Sequence, residues 1–418
     1  MDIEKVVLEI GQRASKASEE LGKAASTTKN QGLIEAANAI RSQSKQIVSA
    51  NHKDLENTSG KGLSKAMIDR LKLDDTGIEA MAVGLEEIAN LKDPVGNILD
   101  SWERPNGLAI SRITVPLGVI GVIYESRPNV TADAGGLCLK SGNAVILRGG
   151  SESYNSSTAI LNALRDGLRK VDLPLEAIQM VPTTDRSAVH QLLGLSKYID
   201  VIVPRGGKGL IEAVQTESKI PVFAHLEGIC HTYINEYSDP MMACDIVLNG
   251  KMRRTGICGA TETLLIDMKA SESHLPSILD ALIGAGCEIK GDKPTQAADK
   301  RVKNASESDW STEYLDSIIS IKQVTGVDDA IMHINRYGSE HTDAIVTNDE
   351  NIAEEFLSGV NSAIVLHNAS TQFADGGEFG MGAEIGIATG KLHARGPIGL
   401  EQLTTFKYVV RGNGQVRP

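Results

Sequence analysis

The sequence has few aromatic residues and no long apolar run. Aromatic residues make up 4% of its 418 residues. The most apolar stretch, residues 115–124, is too short to cross a membrane and contains Pro116, Gly118 and Gly121, so we expect a buried strand there. The first ten residues carry acidic side chains where a secretory signal carries basic residues followed by an apolar stretch. We therefore expect neither a membrane span nor a signal peptide.

The chain is also short of positive charge. It has 42 Lys and Arg against 54 Asp and Glu, for a formal net charge of −12. A general nucleic-acid-binding protein needs a basic face that displaces counterions from phosphate, so we expect no nucleic-acid partner. Hydrophobic residues at 41% and charged residues at 23% are typical of a globular chain. The length predicts two or three domains.

Cysteines are few, odd in number and widely spaced, and no CxxC pair occurs. This usage indicates reduced thiols in a cytoplasmic protein and argues against a zinc site, so we predict no metal. One of the thiols can be a reactive nucleophile, and its surroundings must show which. The five are Cys138, Cys230, Cys244, Cys258 and Cys287.

The order of the predicted elements indicates an α/β fold with parallel sheets. Apolar residues recur at helical spacing through the first ninety residues, and Asn106-Gly107 predicts a hairpin. From residue 117 short apolar runs, including a predicted strand at residues 222–226, alternate with helical patterns. The alternation restarts near residue 250 and the chain ends in a predicted strand at residues 404–410. We therefore expect two α/β domains whose sheets are covered on both faces.

The first candidate site is a Gly-rich turn in residues 203–214, which read VPRGGKGLIEAV. A strand ends, a turn follows and a helix begins, so exposed amides at the helix N-terminus favour a phosphate. Pro204, Arg205, Gly206 and Gly207 are therefore candidate cofactor contacts, and Lys208 adds charge. The chain has neither GxGxxG nor GxxxxGK[ST], so an ordinary tight turn explains this segment equally well.

The second candidate site lies in residues 146–153, which read ILRGGSES and also follow a predicted strand. Ligands of open α/β sheets bind at strand ends. Arg148, Ser151 and Ser153 are candidates for holding an adenosine phosphate. The alternative is a polar surface loop.

The third candidate site is a Gly-flanked turn around Cys258, in residues 251–266, which read KMRRTGICGATETLLI. Arg253 and Arg254 lie upstream and favour a thiolate. Glycines allow a backbone to approach a substrate closely. By itself, however, the motif favours a buried structural cysteine, because most free cysteines are core residues.

Histidines and one arginine complete the candidate residues. The arginine, Arg127, follows Ser126 at the tip of a predicted strand and can clamp a carboxylate or phosphate, or simply cap a helix. The histidines have no metal-ligand spacing such as HExxH, and each is a structural residue or a catalyst. They are His225, His231, His333, His341, His367 and His393.

Together these motifs resemble one family. Residues 324–345 read VTGVDDAIMHINRYGSEHTDAI, which is similar to the signature of the γ-glutamyl phosphate reductases of the aldehyde dehydrogenase superfamily. The resemblance implies an aldehyde dehydrogenase-like fold. It also implies NADPH-dependent reduction of L-glutamate 5-phosphate to glutamate 5-semialdehyde, the second step of proline biosynthesis. The same family pattern continues, between about residues 116 and 408, in YESRPNVTADA, LRGGSES, VPRGGKGLI, HLEGICH, RRTGICGATETLL and KLHARGPIGLEQLTTFKY.

The resemblance also implies residue roles. Cys258 matches the superfamily's nucleophile, and Glu313 matches the glutamate that holds the nicotinamide ribose. His225 stands where hydrolytic aldehyde dehydrogenases carry a glutamate base, and Ser126 stands where they carry an asparagine oxyanion donor. The loss of the glutamate fits a thioester discharged by hydride or phosphate and not by water. Gly259 stands where this family commonly has asparagine.

The implied architecture has three parts. An NADPH-binding domain comprises residues 1–97 and 117–250, and a catalytic domain comprises residues 251–380. An oligomerisation arm with the C-terminal segment comprises residues 98–116 and 381–418. The resemblance further implies a homo-oligomer, a dimer or a tetramer, and allows a transient contact with glutamate 5-kinase.

The substrate has a carboxylate, a phosphate and an amine to be held. Glu384 or Glu378 can meet the amine. The candidate residues for the two anions are Arg127, Arg253, Arg254, His341, His393 and Arg395.

Three other functions remain open on the sequence. A general NAD-dependent aldehyde dehydrogenase is disfavoured by the missing glutamate base. A nucleotide-binding phosphotransferase that uses PRGGKG as its phosphate loop would not need Cys258, but no Asp-rich metal motif supports it. A catalytically silent member would bind cofactor without turnover, and the intact Cys258 turn argues against it.

Overall fold

The computed structural model describes residues 2–58 and 65–417. The chain forms two compact units. Among the described residues, the first unit comprises 2–224, 380–386 and 398–417, and the second comprises 225–379 and 387–397. The sequence analysis placed the start of the second domain near residue 250, whereas the second unit begins at His225. None of the described helices is long and apolar enough to span a membrane.

Two helices of the first unit begin at an aspartate that caps them. The Asp2 side chain accepts a hydrogen bond from the Lys5 amide, and the Asp74 side chain accepts one from the Gly77 amide. The helices are α1 (Ile3–Leu21), α2 (Ser26–Ser42), α3 (Ser44–Thr58), α4 (Lys65–Leu71), α5 (Asp75–Asn90), α6 (Val130–Lys140), α7 (Tyr154–Lys170), α8 (Ser187–Leu193) and α9 (Lys208–Glu217).

The sheet of the first unit is parallel and has the order β5-β4-β3-β6. Every residue of β3 and β4 is buried, as expected of strands with both faces covered. The order in which strands are added to the sheet changes direction at β3, because β4 and β5 lie on one side of β3 and β6 lies on the other. The strands of the first unit before residue 224 are β1 (Ile98–Glu103), β2 (Ala109–Pro116), β3 (Val119–Tyr124), β4 (Ala144–Gly149), β5 (Ile178–Met180) and β6 (Val201–Arg205).

The predicted strand at residues 222–226 is wrong. Val222 makes only an isolated parallel bridge with Ile202. Pro221 has no amide hydrogen to donate, so it contributes only its carbonyl, which accepts from the Ile202 amide. The chain then leaves this sheet and enters the second unit.

The second unit contains a seven-stranded parallel sheet with the order β10-β9-β11-β8-β7-β12-β13. Its strands, with the small antiparallel pair β14-β15, are β7 (Cys230–Ile234), β8 (Thr261–Asp267), β9 (Glu288–Gly291), β10 (Lys303–Asn304), β11 (Ile318–Val324), β12 (Thr342–Val346), β13 (Ile364–His367), β14 (Ile387–Ala388) and β15 (Gly396–Pro397). Its helices are α10 (Pro240–Met252), α11 (Ser271–Gly284), α12 (Lys293–Ala298), α13 (Gly326–Tyr337) and α14 (Glu350–Gly359).

A separate three-stranded antiparallel sheet belongs to the first unit. The predicted hairpin is present as β1 and β2, and the predicted final strand is β16 (Thr404–Arg411). β16 pairs with β2 from Thr404 opposite Pro116 to Arg411 opposite Ala109. The sheet matches the predicted arm in its strands, and its role in oligomerisation stays a prediction.

Candidate active site

Several of the predicted site residues lie at the amino ends of strands in the second sheet. β8, β7 and β12 are neighbours in that sheet. His225 and Gly228 precede β7, Cys258 precedes β8 and His341 immediately precedes β12. Because the three strands are parallel, the segments that lead into them meet at one edge of the sheet.

Cys258, His225 and His341 form one cluster at this edge. The Cys258 Sγ and one ring nitrogen from each histidine lie within 4.8 Å of one another. The two imidazole rings are 4.8 Å apart between centroids and nearly perpendicular, at 75°. His341 is buried, whereas Cys258 and His225 are half-buried. The thiol therefore has two potential proton acceptors and remains partly accessible.

The cluster makes Cys258 acidic. Burial alone would raise the pKa of the thiol, but the charges of His341 and His225 and their hydrogen bonding to the sulfur outweigh it, so the pKa lies well below its usual value. The other thiols behave in the opposite way. Burial raises the pKa of Cys287 to about 11 and also raises those of Cys138, Cys230 and Cys244. Of the five cysteines, Cys258 is the one that the fold activates.

The two histidines are oriented by their own partners. His225 Nδ1 donates to the Ile387 carbonyl oxygen at 2.8 Å, since a carbonyl can only accept. This bond leaves Nε2 as the nitrogen available to the thiol. His341 Nδ1 lies 2.8 Å from the Thr342 hydroxyl. The sequence analysis assigned His341 to a substrate anion, and the structure places it beside the nucleophile.

Replacing His341 with glutamine is expected to raise the pKa of Cys258, because the largest charge that favours the thiolate is removed. The wild-type thiolate persists at pH values below the ordinary thiol pKa and is lost as the pH falls through its lowered pKa. Alkylation of Cys258 by iodoacetamide at pH 7 should therefore slow by about tenfold in the variant, and the two rates should converge near pH 10. His52→Gln, on an exposed part of α3, is the matched control. Parallel rate-against-pH curves for all three proteins would contradict the assignment.

The Cys258 backbone is held against a glycine. A Cβ built on Gly228 would lie 2.1 Å from the Cys258 carbonyl oxygen and 2.6 Å from its Cα. The Cys230 thiol also contacts that carbonyl, with Sγ 3.0 Å from the oxygen. Only glycine therefore permits this approach, which sets the position of Cys258.

Glu313 binds the same glycine. Its Oε1 accepts a hydrogen bond from the Gly228 amide at 2.9 Å. Burial raises the pKa of Glu313, opposed by this bond, and the nearby Cys258 raises it further. The sequence analysis assigned Glu313 to the cofactor ribose. The described contacts make it a support of the nucleophile's turn, and the ribose contact stays a prediction.

The arginines predicted to bind substrate differ in the hydrogen bonds that they already make within the protein. The Arg395 guanidinium donates to the Thr389 carbonyl, to Asn361 and to Glu340, so it ties segments of the second unit together. Arg253 is exposed and its Nη1 lies 3.5 Å from Gln372 Oε1.

The remaining substrate candidates lie apart from one another in the chain. Arg254 and His393 have exposed side chains in the second unit. Arg127 is half-buried in the first unit. Their contacts with substrate stay predictions.

The first unit has a cavity of about 550 Å³ at the carboxyl ends of β3 and β4, and residues of α9, the helix that follows β6, also line it. The strand order changes direction at β3, which has β4 on one side and β6 on the other, and open α/β sheets bind ligands at such a point. Both predicted Gly-rich segments reach it. Its walls include Tyr124, Glu125, Arg148, Gly150, Ser151, Glu152, Arg186, Gly209 and Leu210.

The predicted phosphate turn has the backbone of an anion site. Pro204 and Arg205 end β6, and Gly207 precedes the first residue of α9. The Gly207 amide donates to Glu125 Oε2 at 3.1 Å. A Cβ on Gly206 would lie 2.6 Å from the same oxygen. A helix N-terminus here already accommodates a carboxylate, which is a property of phosphate-binding turns.

The three candidate residues of the second Gly-rich segment have different surroundings. Arg148 donates to the carbonyls of Gly149 and Thr184, at 2.6 and 2.9 Å, so it braces the cavity wall. Ser151 is exposed and lines the cavity. Ser153 is buried and directs its hydroxyl to the Gly150 carbonyl.

Ser126 adopts a left-handed backbone conformation, with φ of +46°. Its amide and hydroxyl both donate to Glu152 Oε1, at 2.7 and 3.0 Å. Ser126, which stands where the superfamily carries an asparagine oxyanion donor, thus directs both its amide and its hydroxyl at one carboxylate oxygen. Sequence reasoning missed Glu152, whose signal was its place in the Gly-rich segment after β4.

The chain is similar to known proteins along its whole length. Residues 3–296 match the profile of the aldehyde dehydrogenase family. The chain is 64% identical over 417 residues to gamma-glutamyl phosphate reductase of Paramagnetospirillum magneticum, covering 100% of this chain and 99% of the relative. It is 59% identical over 418 residues to the protein of that name from Parvibaculum lavamentivorans, covering 100% and 99%.

Solved structures show the same relationship. The crystal structure of gamma-glutamyl phosphate reductase from Thermotoga maritima has a TM-score of 0.96 and 42% identity, covering 99% of this chain and 100% of that one. An acetylating aldehyde dehydrogenase from Geobacillus thermoglucosidasius shares the fold alone, with a TM-score of 0.69 and 17% identity over 100% and 98% of the two chains. The chain therefore belongs to the γ-glutamyl phosphate reductase family of the aldehyde dehydrogenases.

Proposed function

We propose that the chain reduces L-glutamate 5-phosphate to glutamate 5-semialdehyde and phosphate, with NADPH as reductant and Cys258 as nucleophile. The observation that carries the proposal is the Cys258 thiol beside two imidazoles, which hold its pKa well below the usual value. The family resemblance assigns the nucleophile to the same residue. A thiolate is the form that attacks a carbonyl, and an acyl phosphate is an activated carbonyl with a good leaving group.

The protein's residues account for the covalent step. The Cys258 sulfur forms a bond to the acyl carbon while the carbon–oxygen bond to phosphate breaks, which leaves a thioester. The departing phosphate takes up one proton, and the imidazoles of His225 and His341 are the groups beside the sulfur that can hold it. When the aldehyde forms, the carbon–sulfur bond breaks and the thiolate is restored. His225 occupies the position at which hydrolytic aldehyde dehydrogenases carry a glutamate base. This replacement favours discharge of the thioester by reduction over discharge by water.

A nicotinamide cofactor is implied by membership in the aldehyde dehydrogenase family, and it supplies hydride when bound. The residues of the first unit fit a dinucleotide. The cavity lies beside the Gly206–Gly207 turn, whose amide already holds a carboxylate, and Arg186 lines the same cavity. We assign the pyrophosphate to the Gly207 amide and α9, and the adenosine end to Ser151 and the wall braced by Arg148. We propose NADPH over NADH because these arginines lie at that end.

Other assignments belong to the same proposal. Arg253 and Arg254 are exposed at the start of the loop that carries Cys258, and their guanidinium groups suit the substrate's anions. We place the activity in the cytoplasm, since all five cysteines are free thiols. We also propose that the β1-β2-β16 arm joins copies of the chain, because Ile98, Phe406 and Tyr408 of this sheet are exposed.

The reaction is best tested backwards, because an acyl phosphate is too labile to store. Purified protein is mixed with pyrroline-5-carboxylate, the cyclised form of the semialdehyde, together with NADP, and NADPH formation is followed at several phosphate concentrations. We expect the rate to rise at least about tenfold with phosphate, since phosphate is the acceptor that releases the acyl group from Cys258.

Two outcomes would contradict the proposal. NADPH formation that is independent of phosphate would mean that water discharges the thioester, as in a general aldehyde dehydrogenase. Turnover with NAD that matches turnover with NADP would overturn the cofactor assignment alone.

A further inference from the structure

A buried ion pair joins the two ends of the loop that carries Cys258. Lys251, in the last turn of α10, places Nζ 2.6 Å from Oε2 of Glu262, the second residue of β8. Both side chains are 0% exposed. Residues 253–260, which include Cys258, connect α10 directly to β8. The pair therefore closes the base of the nucleophile's loop.

A buried ion pair of this kind contributes little net free energy to folding. Removing two charges from water is costly, and apolar residues of similar volume often replace a buried pair without loss of stability. Burial raises the pKa of Glu262 to about 7 even though Lys251 opposes it. A role beyond stability is indicated by what the second oxygen of Glu262 does.

Glu262 Oε1 accepts a hydrogen bond from the Leu315 amide at 3.2 Å. Leu315 has a φ of +52°, in the left-handed region that a branched apolar side chain rarely adopts. Its side chain is 44% exposed. The neighbouring Tyr314 hydroxyl donates to Asp309 Oδ1 at 2.7 Å. Two buried or partly buried carboxylates thus hold a strained segment.

The strained segment continues directly to the nucleophile. Glu313, two residues before Leu315, accepts the Gly228 amide at 2.9 Å. Gly228 packs against the Cys258 backbone at distances that exclude a side chain. The contacts from Glu262 through Leu315, Glu313 and Gly228 therefore end at Cys258.

We propose that Lys251 and Glu262 are positioning residues for the nucleophile. Their ion pair closes the Cys258 loop. Glu262 also holds the segment 313–315, which in turn holds Gly228 against Cys258. The proposal rests on the proposed function only in taking Cys258 as the nucleophile. His225 belongs to the turn that contains Gly228, so movement of this turn also changes the surroundings of the thiol.

Two double variants separate positioning from stability. Lys251→Met with Glu262→Gln and Lys251→Met with Glu262→Leu both remove the two buried charges. Only the glutamine variant keeps an acceptor for the Leu315 amide. We expect the leucine variant to alkylate with iodoacetamide at pH 7 about tenfold more slowly than the glutamine variant, and its kcat to fall by a similar factor. The melting temperatures of the two variants should be alike.

Alkylation needs neither substrate nor cofactor, so its result stands even where the proposed reaction fails. Equal alkylation rates and equal apparent thiol pKa values in the two folded variants would overturn the proposal. Should either double variant fail to fold, Tyr314→Phe serves instead, because it removes one anchor of the same segment and leaves the ion pair intact. An unchanged alkylation rate in Tyr314→Phe would equally count against it, and a rate lowered about threefold would support it.

Discussion

Replacement of Cys258 with alanine is expected to lower turnover by about 10⁴-fold or more, because no other group can form the thioester. The other four thiols have raised pKa values, which leaves them largely protonated at neutral pH. The Cys258 side chain is half-buried, and its replacement with alanine removes only the sulfur atom, so we expect the variant to fold. The measurement is phosphate-dependent NADPH formation from pyrroline-5-carboxylate.

The matched control is Cys244→Ser, which alters a partly exposed thiol on α10 of the same unit. It should retain most of the wild-type rate. Both variants should bind NADP with wild-type affinity, because the assigned cofactor residues lie in the first unit. A Cys258→Ala protein that still turns over at more than about a hundredth of the wild-type rate would show that the nucleophile is a different group.

Replacement of Gly228 with alanine is expected to lower kcat by about 10²-fold, although it removes no functional group. The new methyl would lie 2.1 Å from the Cys258 carbonyl oxygen, so the backbone that carries the nucleophile must move. A displacement of about 1 Å at a reacting centre costs rates of this order. Steady-state kinetics should show the loss in kcat, and iodoacetamide should also alkylate the displaced thiol at an altered rate.

Gly256→Ala is the control within the same loop, since a Cβ on Gly256 meets no atom within 4 Å. It should leave the alkylation rate within about twofold of wild type, because the Cys258 backbone keeps its place. The opposite order, with Gly256→Ala slow and Gly228→Ala normal, would show that the approach of Gly228 to Cys258 is not what positions the thiol.

The parallel strands were predictable where apolar residues run without interruption. β3 and β4 are buried along their whole lengths, and their sequences consist of aliphatic residues and glycine until the last positions. β7 was missed because it is short and reads CHTYI, with polar side chains that are buried by pairing on both sides. Because β7 was not predicted, the second domain was predicted to start near residue 250, whereas the second unit begins at His225.

The candidate site was predictable only in part. The Gly-flanked turn by itself favoured a structural cysteine, and the family resemblance was what singled out Cys258 and His225. His341 was taken for an anion-binding residue because its spacing from Cys258 in the chain carries no information about distance. The two meet because β7 pairs with β8 on one side and with β12 on the other, which aligns the residues that precede each strand.

The sequence by itself determined the α/β class and directed attention to the Gly-rich turns and to Cys258, because apolar periodicity, glycines and residue type are local properties. The tertiary structure alone decided that Cys258 is acidic, since its pKa depends on two imidazoles brought from distant positions. It also decided that Glu262, Leu315, Glu313 and Gly228 lie in one line of contacts. Strand order and close backbone approach are set by packing, and no short segment of sequence encodes them.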